Sequence, residues 1–295
     1  MAWSIENGEQ FEQLINKFVS KCWKNIIDES DWINKEKSNE FVGIFLHGGE
    51  KPVNYQQIYL PFASFIKNSK YKYPILWFYG GEINDEVNKI LNKFDNVQLV
   101  PIKSITNSQD LNDFYLYQLP KLIPEEFENI LYFQDDGFLI KSGWEQFVLD
   151  NDIDYAGAPW YDYINYPLLI HEFYIREENL KRAKFPFCQY GNGGFSFRKR
   201  SKLMRLIACL PNPDKLHYYE KKLRQIESYK FTMGVTEDWL TSHIGINRQI
   251  FKELDIATAR DFAQELTIEW IGKKIKSPDD IKSFGFHCNY VNKVK

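Results

Sequence analysis

The chain has 295 residues, 44% of them apolar and 17% aromatic, with a formal net charge of −3. That composition supports a sizeable core and argues against disorder. It lacks the basic surplus that neutralises a phosphate backbone, so nucleic acid is not the expected partner. Four widely spaced cysteines, Cys22, Cys188, Cys209 and Cys288, fit reduced thiols better than a zinc cluster. No apolar run has the length of a membrane span and the N-terminus has no signal-peptide core, so a soluble cytoplasmic protein is expected.

In chain order, residues 9–27 carry apolar side chains at helical spacing, which predicts an amphipathic helix. "FVGIFLHGG" (41–49) is a buried strand closed by two glycines, and "NYQQIYLPFASFIKNS" is a helix that Pro61 is expected to kink. "YPILWFYGG" (73–81) repeats the strand with a Gly-Gly ending. "NDEVNKILNKF" is a helix with Asn84 as its N-cap. "VQLVPI" (97–102) is a third strand, "SQDLNDFYLYQL" a helix from Ser108, and "NILYFQDD" a fourth strand. Apolar strands alternating with helices predict βαβ units and a mostly parallel sheet. Beyond residue 143 the alternation gives way to short strands (155–160 and 193–199), helices (201–210 and 236–245) and a polar, tyrosine-rich stretch at 161–187. A single domain over 1–295 is expected, with a nucleotide-type half (1–142) and an irregular half (143–295).

Ligands of such sheets bind outside the carboxyl ends of the strands. His47–Gly48–Gly49, Gly80–Gly81 and Asp135–Asp136–Gly137 fall there. Asp-Gly is also an ordinary turn signal. Adjacent carboxylates beside a glycine equally suit a hard divalent cation, which takes oxygen ligands and completes its shell with substrate phosphates. "YGNGGFSFRKR" (190–200) places Asn192 among three glycines ahead of an alternating strand. It reads as a bulge or hairpin, or as a close backbone approach to a ligand. "TEDWLTSHIG" is a helix start, with Thr236 as cap and Glu237 and Asp238 complementing the dipole, or a carboxylate base presented there. His287, in "FGFHCN", and His47 read as structural histidines or as ligands.

Taken together in this order, the motifs resemble those of the GT-A class of nucleotide-sugar glycosyltransferases, including a little-characterised branch of GT-A-like domains. "LYFQDDGFLI" resembles the strand-end DXD-type motif, in particular the Glu-Asp-Asp form of inverting N-acetylglucosaminyltransferases. "GNGGFSFR" is similar to the glycine strand flanking the donor sugar, "EDW" to the acidic motif holding the catalytic base, and "FGFH" to the late metal-binding histidine.

The resemblance implies a GT-A (Rossmann-like) α/β fold, a mostly parallel central sheet flanked by helices and an irregular C-terminal acceptor half. It implies transfer of a sugar, by inversion, from a nucleotide-sugar donor such as a UDP-sugar to a hydroxyl of a glycan, protein or small molecule. By it, Asp136 and His287 contact Mn²⁺ or Mg²⁺ and Asp135 contacts the donor ribose. Asn192, Gly193 and Gly194 lie beside the transferred sugar, and His47 and Gln134 belong to the donor site. Asp238 is the base and Glu237 positions substrate. Gln134 departs from the motif, since a neutral amide stands at its first acidic position and lowers the charge available to a metal. A GT-A-like binding module without turnover is the alternative. Adjacent carboxylates alone do not make a glycoside hydrolase, and the basic glycine-rich loop of a sugar nucleotidylyltransferase is missing after His47.

Overall fold

The computed structural model describes residues 32, 34–49, 52–159, 190–215, 241, 245–246, 248–265 and 278–287. The helix expected at 9–27, the 161–187 stretch and the segment with Glu237 and Asp238 lie outside them.

Strands that are apolar on both faces have to be covered on both sides. β1 (Phe41–His47), β2 (Ile75–Tyr79), β3 (Val97–Pro101) and β4 (Asn129–Phe133) pair in parallel. With β6 (Tyr155–Pro159) and β7 (Tyr190–Lys199) they form one six-stranded sheet in the order β3-β2-β1-β4-β7-β6, in which β7 is antiparallel to both neighbours. Side chains alternate between the faces with the period of two that a pleated strand dictates. Phe41, Phe45, Trp77, Leu131 and Phe133 pack on one face with α1 (Tyr55–Asn68). Val42, Ile44, Phe78, Ile130 and Tyr132 pack on the other with Phe114, Tyr115 and Leu119.

α1 runs uninterrupted past Pro61, whose carbonyl accepts the Ser64 hydroxyl at 2.8 Å. α2 (Asp85–Lys93) starts at the expected cap, with the Asn84 side chain accepting from the Val87 amide at 3.0 Å. The helix expected from Ser108 is three pieces: α3 (Ser108–Asp113), a π-turn at Phe114–Gln118, and α4 (Leu119–Leu122). Phe114, Tyr115 and Leu116 are buried in succession, more than one face of a regular helix accommodates, and the wider turn redistributes them. α5 (Trp144–Asp150), α6 (Arg200–Cys209) and α7 (Ile256–Phe262) follow, and a 3₁₀ turn spans Pro278–Asp280.

A second sheet has three short strands, β5 (Gly137–Leu139), β8 (Ala263–Glu265) and β9 (Gly285–His287), in the order β5-β9-β8. The aromatic, glycine-broken run in "FGFHCN" marks β9 in the sequence, whereas β5 and β8 carry too little periodicity to announce a strand. No helix among the described residues is long and apolar enough to cross a membrane.

The start of β6 is anchored electrostatically. Asp154 is buried, 3.1 Å from Lys199 Nζ and 2.9 Å from Lys202 Nζ, and accepts the Lys252 amide at 3.0 Å. Burial pushes its pKa up, but Lys202, the Lys252 amide and Lys199 together outweigh burial and hold it below the ordinary carboxylate range. A depressed carboxylate contributes stability that is fully present above its unfolded pKa, near 3.9, and is lost as pH falls through the folded value. Asp154→Asn is expected to destabilise by about 2 kcal/mol at pH 7, because Lys202 loses its counter-charge and Lys199 keeps only the exposed Asp152. It should also flatten the fall of melting temperature below about pH 4. Thermal melts of both proteins across pH 2–7 check both effects.

Candidate functional site

β2 and β3 follow β1 to one side of the sheet, and β4 lies on the other. The strand order therefore reverses between β1 and β4, and a ligand crevice opens at such a switch point beyond the carboxyl ends. His47 closes β1 and Gln134 follows β4 at that edge.

The four residues Gln134–Gly137 form a β-turn, the Gly137 amide donating to the Gln134 carbonyl at 3.1 Å. This is the ordinary Asp-Gly turn, and it also redirects the chain out of the main sheet into β5. β5 pairs antiparallel with β9 in a register that sets Gly137 opposite His287. The result is a close pair from distant parts of the sequence: His287 Nε2 lies 3.1 Å from Asp136 Oδ1. Both residues are buried, at 5% and 6% exposure, and Asp136 Oδ1 makes no hydrogen bond. Asp135, beside it in the turn, is half-buried.

The glycine segment reaches the same point from β7. Between the pairs Gly157↔Ser196 and Ala158↔Asn192 the register with β6 shifts, leaving Gly193, Gly194 and Phe195 as a bulge. On the other side, Phe195 pairs with Phe133, and the Gln134 amide donates to the Gly194 carbonyl at 2.9 Å. A methyl group on Gly194 would overlap His287 Nε2 and crowd Gln134 Oε1 at 3.0 Å. Gly194 is thus a glycine because the imidazole lies against its α-carbon, a reason that the sequence does not display. Asn192 belongs to β7 and pairs with Ala158.

At the end of β1, the Gly49 amide donates to His47 Nδ1 at 3.3 Å, and the ring lies 5.5 Å from that of Tyr79. Burial lowers the His47 pKa against a smaller upward effect of a backbone hydrogen bond, which favours the neutral ring. Gly49 has φ +88°, and a side chain there would run into Gly80 and Gly81. The two Gly-Gly endings therefore pack against each other and shape this rim of the edge.

Four residues not singled out by motif complete the arrangement. Gln134 Nε2 donates to the hydroxyls of Tyr115 (3.3 Å) and Tyr132 (3.2 Å). Ser196 and Arg198, both buried, stand on the face of β7 opposite Phe195 and Phe197. The alternation in "FSFR" separates these faces, but does not say which polar pair is buried. The structure therefore brings His47, Gln134, Asp135, Asp136, Gly193, Gly194 and His287 to one edge. Glu237 and Asp238 lie outside the described residues.

Among the described residues no cluster of three or more His, Cys, Asp or Glu is placed to hold a metal. The Asp136–His287 pair nevertheless fits a hard divalent cation. A buried carboxylate oxygen without a hydrogen bond is costly, and two protein ligands suffice where water and substrate phosphates supply the remainder.

A family profile described as a protein of unknown function, DUF5672, matches residues 95–287, well over half of the chain. The chain belongs to the DUF5672 family. The matched span contains the strand-end turn, the glycine bulge and, as its last residue, His287. No protein of curated function matches the sequence of this DUF5672 member. Among solved structures, an active-site mutant of LgtC is 13% identical, covers 84% of this chain and 87% of its own, and has a TM-score of 0.51. Mouse xyloside xylosyltransferase 1 is 14% identical over 85% of this chain and 97% of its own, at a TM-score of 0.45. Core-mannan synthase A from Aspergillus fumigatus is 10% identical over 71% and 70%, at 0.46. The likeness to LgtC shows the fold: the DUF5672 chain has a GT-A-like α/β architecture, its mostly parallel sheet flanked by helices.

Proposed function

We propose that this DUF5672 protein is a glycosyltransferase that moves a sugar from a nucleotide-sugar donor, a UDP-sugar, to a hydroxyl acceptor with inversion. The observation that carries the reading is the buried Asp136 oxygen, without a hydrogen bond and 3.1 Å from His287 Nε2, at the switch-point edge of a GT-A-like sheet. Asp136 and His287 would hold Mn²⁺ or Mg²⁺, which when bound supplies positive charge against the donor diphosphate. Gln134 Oε1 borders the same space above Gly194, so the first position of the DXD-like turn offers a neutral oxygen.

The chain's own groups divide the remaining work. His47 and the packed glycine endings form the nucleotide side of the crevice, and Asp135 meets the ribose. Asn192, Gly193 and Gly194 border the transferred sugar. In the reaction the bond from the anomeric carbon to the phosphate oxygen breaks as the acceptor oxygen attacks from the opposite face. Asp238 takes the hydroxyl proton, and Glu237 orients the acceptor. One domain over 1–295, with residues 143–295 forming the acceptor half, accommodates both substrates.

The second reading, a nucleotide-binding module without turnover, is favoured by Gln134 alone, whose amide replaces a charge and is held by two tyrosine hydroxyls. Calorimetric titration of UDP with and without Mn²⁺ tests the metal site. UDP affinity is expected to rise with Mn²⁺ in the wild type, and Asp136→Asn should abolish that rise while the protein stays folded. Equal affinity with and without the cation would refute the metal-assisted reading.

A further inference from the structure

Beneath the glycine bulge lies a buried polar knot that the proposed reaction leaves unused. The Arg198 guanidinium, 3% exposed, lies over the rings of Tyr132 and Tyr155, 5.1 and 5.6 Å from their centroids. Its Nε donates to Ser196 Oγ at 2.9 Å, and its Nη2 reaches the Gly193 carbonyl at 3.4 Å. The Ser196 hydroxyl, fully buried, donates to the same carbonyl at 3.2 Å. Two side chains of β7 thus converge on one peptide oxygen at the point where the register with β6 shifts.

The consequences run through contacts on one side of that peptide. Gly194 receives the Gln134 amide through its carbonyl, touches the Gly137 position through the same oxygen, and has His287 against its α-carbon. A shift of the Gly193–Gly194 peptide displaces His287 from Asp136. Glycines do not resist such a shift, since they have the widest backbone freedom. Beyond the pairing with β4, a fork of planar donors with a relay hydroxyl restrains this peptide through the Gly193 carbonyl.

We propose that Arg198 and Ser196 are positioning residues that clamp the Gly193 carbonyl and thereby set the bulge that aligns His287 with Asp136. The clamp itself stands on the geometry; only its purpose rests on the glycosyltransferase reading.

The test compares wild type, Ser196→Ala, Arg198→Lys and a control, Ser64→Ala, which removes a buried hydroxyl bond within α1 rather than at the bulge. Native-state exchange of the Gln134 amide reports the Gly194 hydrogen bond, and calorimetry with Mn²⁺ alone reports the Asp136–His287 pair. Ser196→Ala should accelerate exchange at Gln134 by about fivefold to tenfold, the effect of one lost hydrogen bond. It should weaken Mn²⁺ about tenfold or more, as loss of a ligand's support does. Arg198→Lys keeps the charge and loses the fork, so it should move both readouts in the same direction. Gln134 exchange no faster in Ser196→Ala than in Ser64→Ala overturns the clamp. So does faster exchange with unchanged Mn²⁺ affinity, or wild-type behaviour of Arg198→Lys. A wild type that takes up no Mn²⁺ defeats the metal reading instead, and the exchange data then decide the clamp alone.

Discussion

Asp238→Asn is expected to lower transfer, or donor hydrolysis, by about two to four orders of magnitude, the usual range for a lost general base. Donor and metal binding should stay nearly unchanged. The residue belongs to "TEDW", which reads as a helix start, where the dipole favours an ionised carboxylate. An acceptor hydroxyl is a weak nucleophile and has to lose its proton as the new bond forms, so a neutral amide of the same size removes the step and little else. Turnover at saturating nucleotide sugar, measured beside calorimetric binding, separates the roles. Normal turnover in the mutant would leave Asp238 as a helix-start residue, and the proposed mechanism would fail with it.

Gly194→Ala is expected to act on the proposed metal-binding pair, Asp136 and His287, and on stability at once. The added methyl overlaps His287 Nε2, a ring held at 5% exposure by β9 and its neighbours. The ring has to turn away or the bulge has to open. Either response separates His287 from Asp136, so Mn²⁺-dependent UDP binding should weaken by about tenfold to a hundredfold. Overpacking of this kind costs about 1–3 kcal/mol of folding stability. Gly43→Ala is a comparison within the same sheet, because the nearest atoms to its added methyl belong to the core rings of Phe133 and Phe65. It should lower the melting temperature and leave metal-dependent binding intact. Equal effects of the two substitutions on UDP binding would mean that Gly194 serves folding alone.

Much of the central sheet was legible from local pattern. β1, β2, β3 and β4 are apolar runs closed by Gly-Gly or by polar turn residues, and Asn84 caps α2 as its position predicts. The helix from Ser108 was legible as a helix but not as a π-turn, because three consecutive buried residues look the same in sequence whether the turn is regular or wide. The Asp-Gly turn after β4 and the bulge in β7 were both visible as alternatives to ligand sites, and the turn and bulge geometries are real.

Taken alone, the sequence determined the α/β class, the parallel character of the first strands and the edge at which their polar ends gather. These follow from hydrophobic periodicity and turn chemistry, which act over a few residues. Only the tertiary structure decided which groups meet there. Asp136 and His287 are 3.1 Å apart because β5 pairs with β9 in one register. Gly194 lies beneath His287 because β7 inserts antiparallel against β4. Arg198 is buried over Tyr132 and Tyr155 because three strands bring those faces together. Such contacts depend on sheet order and register between residues as far apart in the chain as Asp136 and His287, and no local period of the chain encodes them.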